Sequence, residues 1–257
     1  MSGDLKGKVA IVMGASTANG MGEATARRLA SEGATVVVSG LGRAHLDKLA
    51  EELGGSAFEA DITKEADVKA LVQHTIDKYG ALHIGVNLAG VCDRCDIKDI
   101  TEEHLLKMTK INYFGPVWFI KSLAEKIVDD GAIVTISSLA AWDTLSGVTA
   151  YAAAKRAADR FVQAAAVEYR AKRLKINAII PSTNDTGMLR KGLEEYNYSF
   201  DEFIKPYVAL TPLGRLSRPQ DIAAMAYMMV RDEFFETGQV WHCSGGNSLL
   251  GLPRMLA

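Results

Sequence analysis

Three cysteines in 257 residues, Cys92, Cys95 and Cys243, are too few for a disulfide framework. No apolar run approaches the roughly 18 residues that a membrane helix requires, so a membrane-spanning protein is not expected. The opening residues MSGDLKGKVA lack the apolar centre of a signal peptide. The expected compartment is therefore the cytoplasm. Neither charge dominates, with 29 basic residues against 31 acidic, and no basic stripe stands out, so no nucleic-acid partner is expected. The five histidines are scattered, and Cys92-Asp93-Arg94-Cys95 has no second pair to complete a structural zinc site. No metal site is expected, and the cysteine pair reads as an ordinary loop.

What is present is aliphatic and regularly punctuated. Lys8–Met13 reads as a first strand and Glu23–Glu32 as a helix closed by Gly33. Thr35–Ser39 is a continuous β-branched run, as expected of a strand buried on both faces. The rhythm continues with helix Ala44–Leu53, strand Ala57–Ala60, helix Lys64–Tyr79 and strand Leu82–Leu88. A long helical stretch over Glu102–Val128, strand Ala132–Ser137, helix Tyr151–Arg173 and strands Lys175–Ile180 and Gln239–Cys243 complete it. Strands alternating with helices predict an α/β fold: a single-domain, doubly wound, Rossmann-type parallel sheet of about seven strands with helices on both faces. Residues 188–210 break the rhythm with Tyr196, Tyr198, Phe200, Phe203 and Tyr207. They read as an insertion on the ligand side, either a lid packed on its own core or a wall for a bulky or aromatic substrate.

The first strand runs into Gly14-Ala-Ser-Thr-Ala-Asn-Gly20-Met-Gly22. Gly14 suits a tight turn, Gly20 lets backbone approach a pyrophosphate, and Gly22 lets the next helix pack closely on the strand. The strand before and the helix after make this a dinucleotide-binding turn. An acidic residue about 20 positions on would bond the adenosine ribose. Here the second strand ends Ser39-Gly40-Leu41-Gly42-Arg43, with no acid. Arg43 is the nearest cation for a 2′-phosphate, which favours NADP(H) over NAD(H).

Tyr151 and Lys155 are four apart on the Ala-rich helix and share a face. A free tyrosine has a pKa of about 10. A neighbouring ammonium, joined by an oxidised nicotinamide, would lower it enough for proton transfer. The fifth strand ends in Ser137-Ser138, placing a hydroxyl where it can bond a substrate oxygen.

Together these residues resemble the short-chain dehydrogenase/reductase family over nearly the whole chain. The matching motifs are Tyr151-Ala-Ala-Ala-Lys155, Ile136-Ser137-Ser138, Asn87-Leu88-Ala89-Gly90 and Asn112 in Ile111-Asn112-Tyr113-Phe114-Gly115. The resemblance implies a hydride-transferring oxidoreductase acting on a secondary alcohol or ketone. Tyr151 would be its general acid/base, Lys155 would tune Tyr151 and hold the nicotinamide ribose, and Ser138 would polarise the substrate oxygen. Asn112 would hold a water linking Lys155 to solvent. The implied cofactor site takes in Gly14, Ser16, Asn19, Gly20, Met21 and Gly22 of the turn, with Gly40 and Arg43 after the second strand. It also takes in Asp61 and Ile62 at the adenine, Asn87, Ala89 and Gly90 after the fourth strand, and Pro181, Thr183 and Thr186 beside the nicotinamide. The resemblance further implies a homotetramer or homodimer packed through the helices of Asn112 and Tyr151, where Ala157, Ala164 and Ala165 would allow close approach.

Four positions depart from the family pattern. The glycine turn is two residues longer, Leu88 replaces a second Asn, Leu41 stands where many NADP users carry Arg, and Ser182 replaces Gly. Two other functions stay open: an enoyl-type reductase, whose Tyr and Lys stand further apart than the four seen here, and a non-catalytic dinucleotide-binding protein, which would be expected to lose Ser138, Tyr151 or Lys155.

Overall fold

The computed structural model describes residues 3–195 and 197–253, so Tyr196 lies outside the described residues. Seven strands form one all-parallel sheet: β1 (Val9–Met13), β2 (Thr35–Gly40), β3 (Ser56–Glu59), β4 (Ile84–Asn87), β5 (Ala132–Ile136), β6 (Lys175–Pro181) and β7 (Val240–Cys243). The spatial order is β3-β2-β1-β4-β5-β6-β7. The order reverses between β1 and β4, and a parallel sheet opens its ligand crevice at such a point, outside the carboxyl ends of the strands.

Alternate residues of each central strand feed opposite layers, because successive side chains of a strand point to opposite faces. Ala10, Val12, Val36 and Val38 pack with α1 (Met21–Ser31), α2 (Arg43–Leu53) and α9 (Pro219–Val230), through Leu29, Leu46, Leu49 and Ile222. Ile11, Met13, Val37 and Ile133 pack with α3 (Glu65–Tyr79), α5 (Gly115–Lys126) and α6 (Thr149–Glu168), through Leu71, Phe119, Leu123 and Val162. β1 and β5 are buried along their full length, as their unbroken apolar runs require.

The long stretch expected over Glu102–Val128 is two α-helices, α4 (Glu102–Thr109) and α5, joined by a π-helical turn at Lys110–Phe114. The turn carries Asn112, whose side-chain amide donates to Met108 O at 3.1 Å and Val91 O at 2.9 Å. That amide competes with the regular backbone ladder. Helix α9 is not marked by the sequence reading, although Pro219 opens it and the Asp221 carboxylate, three residues in, accepts the Arg218 N–H at 2.7 Å. Residues 188–210 fold mainly as α7 (Gly187–Glu195) and α8 (Phe200–Ala209). A short last helix, α10 (Asn247–Leu250), follows β7.

The outward face of α6 carries Ala153, Ala157, Ala164 and Val167. Ala165, expected on that face, is only 3% exposed and belongs to the core. Its place in the helical turn points it at the sheet.

Gly22 sits where α1 crosses the end of β1, and a β-carbon there would stand 2.1 Å from Gly14 O. Gly22→Ala should therefore cost about 1–3 kcal/mol through forced backbone displacement. A thermal midpoint equal to wild type would show that the helix does not approach the strand this closely.

Candidate functional site

The crevice at the switch point is a cavity of about 800 Å³. Gly14, Ser16 and Thr17 line it from the glycine turn, Gly40 and Leu41 after β2, Asp61 and Ile62 after β3, and Ala89, Gly90 and Val91 after β4. Gly14 adopts φ +88°, and a β-carbon there would meet Ala89 N at 2.5 Å, so the turn and the β4 end are in close backbone contact. The Gly14 and Ala15 N–H groups donate to Ser39 O.

The two extra residues of the turn swing outward. Thr17, Ala18 and Asn19 are exposed, the Gly20 N–H closes back on Thr17 O, and Asn19 takes the left-handed conformation at φ +56°. Its N–H donates to the Glu23 carboxylate. Gly20 still opens α1 with no side chain capping the free N–H groups of the first turn, a setting that suits an anion.

Two buried polar atoms beside this turn have no partner in the protein, Ser16 Oγ and Asn87 Nδ2. Buried donors without partners are uncommon. A cavity of this size, an uncapped helix start and unused donors beside the glycine turn fit a dinucleotide. Asp61 binds its own Thr63 through backbone and hydroxyl, which fixes its carboxylate at the cavity wall.

Other expected cofactor contacts stand further out. Arg43 is exposed and held by Asp47 through both carboxylate oxygens. Beside it, Glu59 at the end of β3 accepts the Gly42 N–H at 2.9 Å, a carboxylate at this rim that the sequence reading did not count. Gly22 is spent on helix packing. Pro181 ends β6, Thr183 O accepts from Ser217 Oγ, and Thr186 Oγ1 accepts the Leu189 N–H at the start of α7. The same helix start reaches the extended turn, because a β-carbon on Gly187 would lie 3.2 Å from Ala18 O.

The second half of the site is built on α6. Tyr151, Lys155 and Asp159 follow one another at single-turn spacing along one face. That face looks onto the end of β5. Lys155 Nζ donates to Ile136 O at 2.9 Å. Ser137 Oγ donates to Asp159 Oδ2 at 2.8 Å. Ser138, extended at the strand end, accepts the Ala140 N–H and lies close enough to Tyr151 to act on its phenol. A β-carbon on Gly90 would lie 3.1 Å from Lys155 Nζ and 3.2 Å from Asn112 Oδ1. The family-like residues Gly90, Asn112, Ser138, Tyr151 and Lys155 thus converge from four separate segments. Asn112 does not leave its amide free, since Val91 N–H and O both engage it.

Burial governs the charges here. It pushes the Lys155 amine down to about 8, against the pull of Asp159. It raises the Tyr151 phenol far above its ordinary range, with the Ser138 side chain opposing and the Asp159 charge adding to the rise. The Lys155 ammonium by itself does not offset that rise. Lys155 Nζ stands 5.9 Å from the Tyr151 ring centroid and spends a hydrogen bond on Ile136 O, so desolvation outweighs it. Cys92 is an exposed residue beside this site, and loss of solvent around its sulfur pushes the thiol up to about 11.

Helix α8 roofs this half. Tyr207 is buried with Leu139 and Ile180, and Phe200, Phe203 and Leu145 pack around them. The aromatic insertion therefore rests on the loop that carries Ser138, which serves both readings of it.

Residues 14–248 match the family described as Enoyl-(Acyl carrier protein) reductase. The chain is 30% identical to a diacetyl reductase ((S)-acetoin forming) of Staphylococcus epidermidis, over 93% of this chain and 98% of that protein. It is also 30% identical to a cyclohexanol dehydrogenase of an Acinetobacter species, over 95% of this chain and 96% of that one. The solved structure of a short-chain type dehydrogenase/reductase from Mycobacterium ulcerans superposes with a TM-score of 0.90 at 29% identity, covering 98% of this chain and 93% of its own. The chain belongs to the short-chain dehydrogenase/reductase family, oxidoreductases that work with NAD(P)(H).

Proposed function

We propose that the protein interconverts a secondary alcohol and a ketone on a hydrophobic or aromatic small molecule, with Tyr151 as the proton-transferring group. The observation that carries this reading is the meeting of Tyr151, Ser138 and the buried Lys155 amine at the end of β5. Ser138 and Tyr151 can reach one substrate oxygen together, Ser138 to orient and polarise it and Tyr151 to give or take its proton. Held protonated by burial, Tyr151 is set as a donor to a ketone oxygen. When bound, the nicotinamide supplies or accepts the hydride and, oxidised, brings the positive charge that favours the phenolate. Lys155 holds the ribose, and Asn112, fixed by Val91, stands where it can order a water next to Lys155. The apolar residues Leu139, Leu145, Phe203 and Tyr207 beside Ser138 support a hydrophobic substrate. An enoyl-type reductase is the second reading, favoured by the description of the matching family. The four-residue Tyr–Lys spacing and the seated Ser138 favour the alcohol/ketone reaction. Self-association as a dimer or tetramer would use the exposed small-residue face of α6.

For the cofactor, NADP(H) is favoured, because Gly40 and Leu41 put no carboxylate at the end of β2. Glu59 narrows the margin by its charge. The expected result is a higher kcat/KM with NADPH than with NADH, and a ratio that grows about 3- to 10-fold in Glu59→Gln. A clear NADH preference in the wild type would reverse the assignment.

Tyr151→Phe should keep the fold and cofactor binding but lose about 100-fold or more in kcat on any ketone the wild type reduces. Near-wild-type turnover in a folded Tyr151→Phe protein would remove Tyr151 from the chemistry.

Lys155 also leaves a mark on stability. Its folded pKa of about 8 lies below the unfolded value, which is about 10.4. Between these values the unfolded chain binds more protons, so stability should rise with pH by an amount on the order of 3 kcal/mol. Denaturant unfolding across this window should show that rise in the wild type and not in Lys155→Met. Parallel curves would mean that the amine is not desolvated.

A further inference from the structure

Asp159 is a buried acid that the reaction as described does not use. It is 4% exposed, on the face of α6 that carries Tyr151 and Lys155. Two donors converge on its Oδ2: Ser137 Oγ at 2.8 Å and the Trp142 indole N–H at 2.9 Å. An oxygen that receives two donors carries no proton of its own. Ser137 directly precedes Ser138, and Trp142 follows the 3-10 turn Leu139–Ala141 that Ser138 caps. Asp159 therefore grips the chain on both sides of Ser138. Two successive strand-end residues are each held by one turn of α6, Ile136 by Lys155 and Ser137 by Asp159, with Tyr151 one turn further along beside Ser138. From outside, Arg156 covers the Trp142 ring at 3.8 Å and His242 of β7 meets it edge-on at 5.9 Å.

We propose that Asp159 is a positioning residue for the Ser138–Tyr151–Lys155 site, clamping both flanks of Ser138 and presenting the buried negative charge that faces the Lys155 ammonium. This rests on the alcohol/ketone reading of the site given above. The charged and titratable groups around it are Lys155, Arg156 and Tyr151 on its own helix, the protonated Cys92 thiol after β4, and His242 on β7, which burial favours in its neutral form. Burial is the largest influence and raises the Asp159 carboxyl above its ordinary value, with its two hydrogen bonds and the Lys155 and Arg156 charges opposing that rise. The Asp159 charge in turn raises both the Tyr151 and the Lys155 values. Deleting it has a signed consequence: both groups titrate at lower pH.

Asp159→Asn removes the charge at nearly constant shape, Ser137→Ala removes one hydrogen bond and keeps the charge, and Asp159→Glu restores the charge. In Asp159→Asn, both limbs of the kcat–pH profile should move to lower pH by about one unit, and kcat near neutrality should fall about 10-fold with little change in cofactor KM. Ser137→Ala should lower kcat with its limbs where the wild type has them, and Asp159→Glu should return the limbs towards wild type. The second readout needs no turnover: the onset of the Lys155-linked stability rise should also move to lower pH in Asp159→Asn. Asp159→Ser is the alternative neutral variant if the Asn protein does not fold, with the same shifts expected. Unmoved limbs and an unmoved stability window in a folded neutral variant would overturn the proposal. If no ketone or alcohol is turned over at all, the functional reading fails, while the stability window still decides the role of Asp159.

Discussion

The site is organised around an amine placed out of water. Lys155 reaches from α6 across to the end of β5 and donates to the Ile136 carbonyl. An ammonium in such a place loses hydration and is held by the few groups that face it. Those groups are the Ile136 carbonyl oxygen and the Asp159 charge, and the phenol to be tuned lies one helical turn away. The register between α6 and the strand end therefore determines where the serine, the phenol and the amine meet. A helix displaced by one residue would turn all three side chains off the strand.

The sheet supplies that register. β5 and β6 are buried, and their pairing sets Ile136 beside Ile179. α6 packs against both strands through Val162 and Ala166. The cofactor half of the crevice stands on the other side of the switch point, where Gly14 and Ala89 bring two strand ends into backbone contact. The two halves join at Gly90, whose open side admits the Lys155 amine and the Asn112 carboxamide. Chemistry and cofactor recognition are thus carried by separate segments that a single parallel sheet aligns.

Much of this was legible in the sequence. The alternation of apolar runs and helix signals gave all seven strands, because strands buried on both faces leave unbroken aliphatic stretches. The motifs marked Ser138, Tyr151 and Lys155, because their spacings are set by strand ends and helix turns. Other features depended on folding to become visible. The π turn at Asn112 arises from a side-chain amide competing for backbone carbonyls, which helix periodicity does not report. Helix α9 carries a proline start and an acidic third residue that accepts the Arg218 N–H, but these signals lie behind the irregular aromatic insertion. Ala165 was put on the wrong face because an Ala-rich helix gives little contrast between its sides. No motif marks Asp159 or Glu59 in the sequence, because their settings exist only where the fold buries the first and brings the second to Gly42.

The central claim is that Tyr151 is a buried phenol kept protonated by the protein and released by positive charge at the nicotinamide position. Ultraviolet difference titration of tyrosinate, wild type minus Tyr151→Phe, tests it directly, with and without saturating oxidised cofactor. The account predicts no Tyr151 ionisation up to the ordinary value of about 10 for the protein alone, and ionisation several units lower once oxidised cofactor is bound. A Tyr151 signal that stays in place when the oxidised cofactor binds would contradict it.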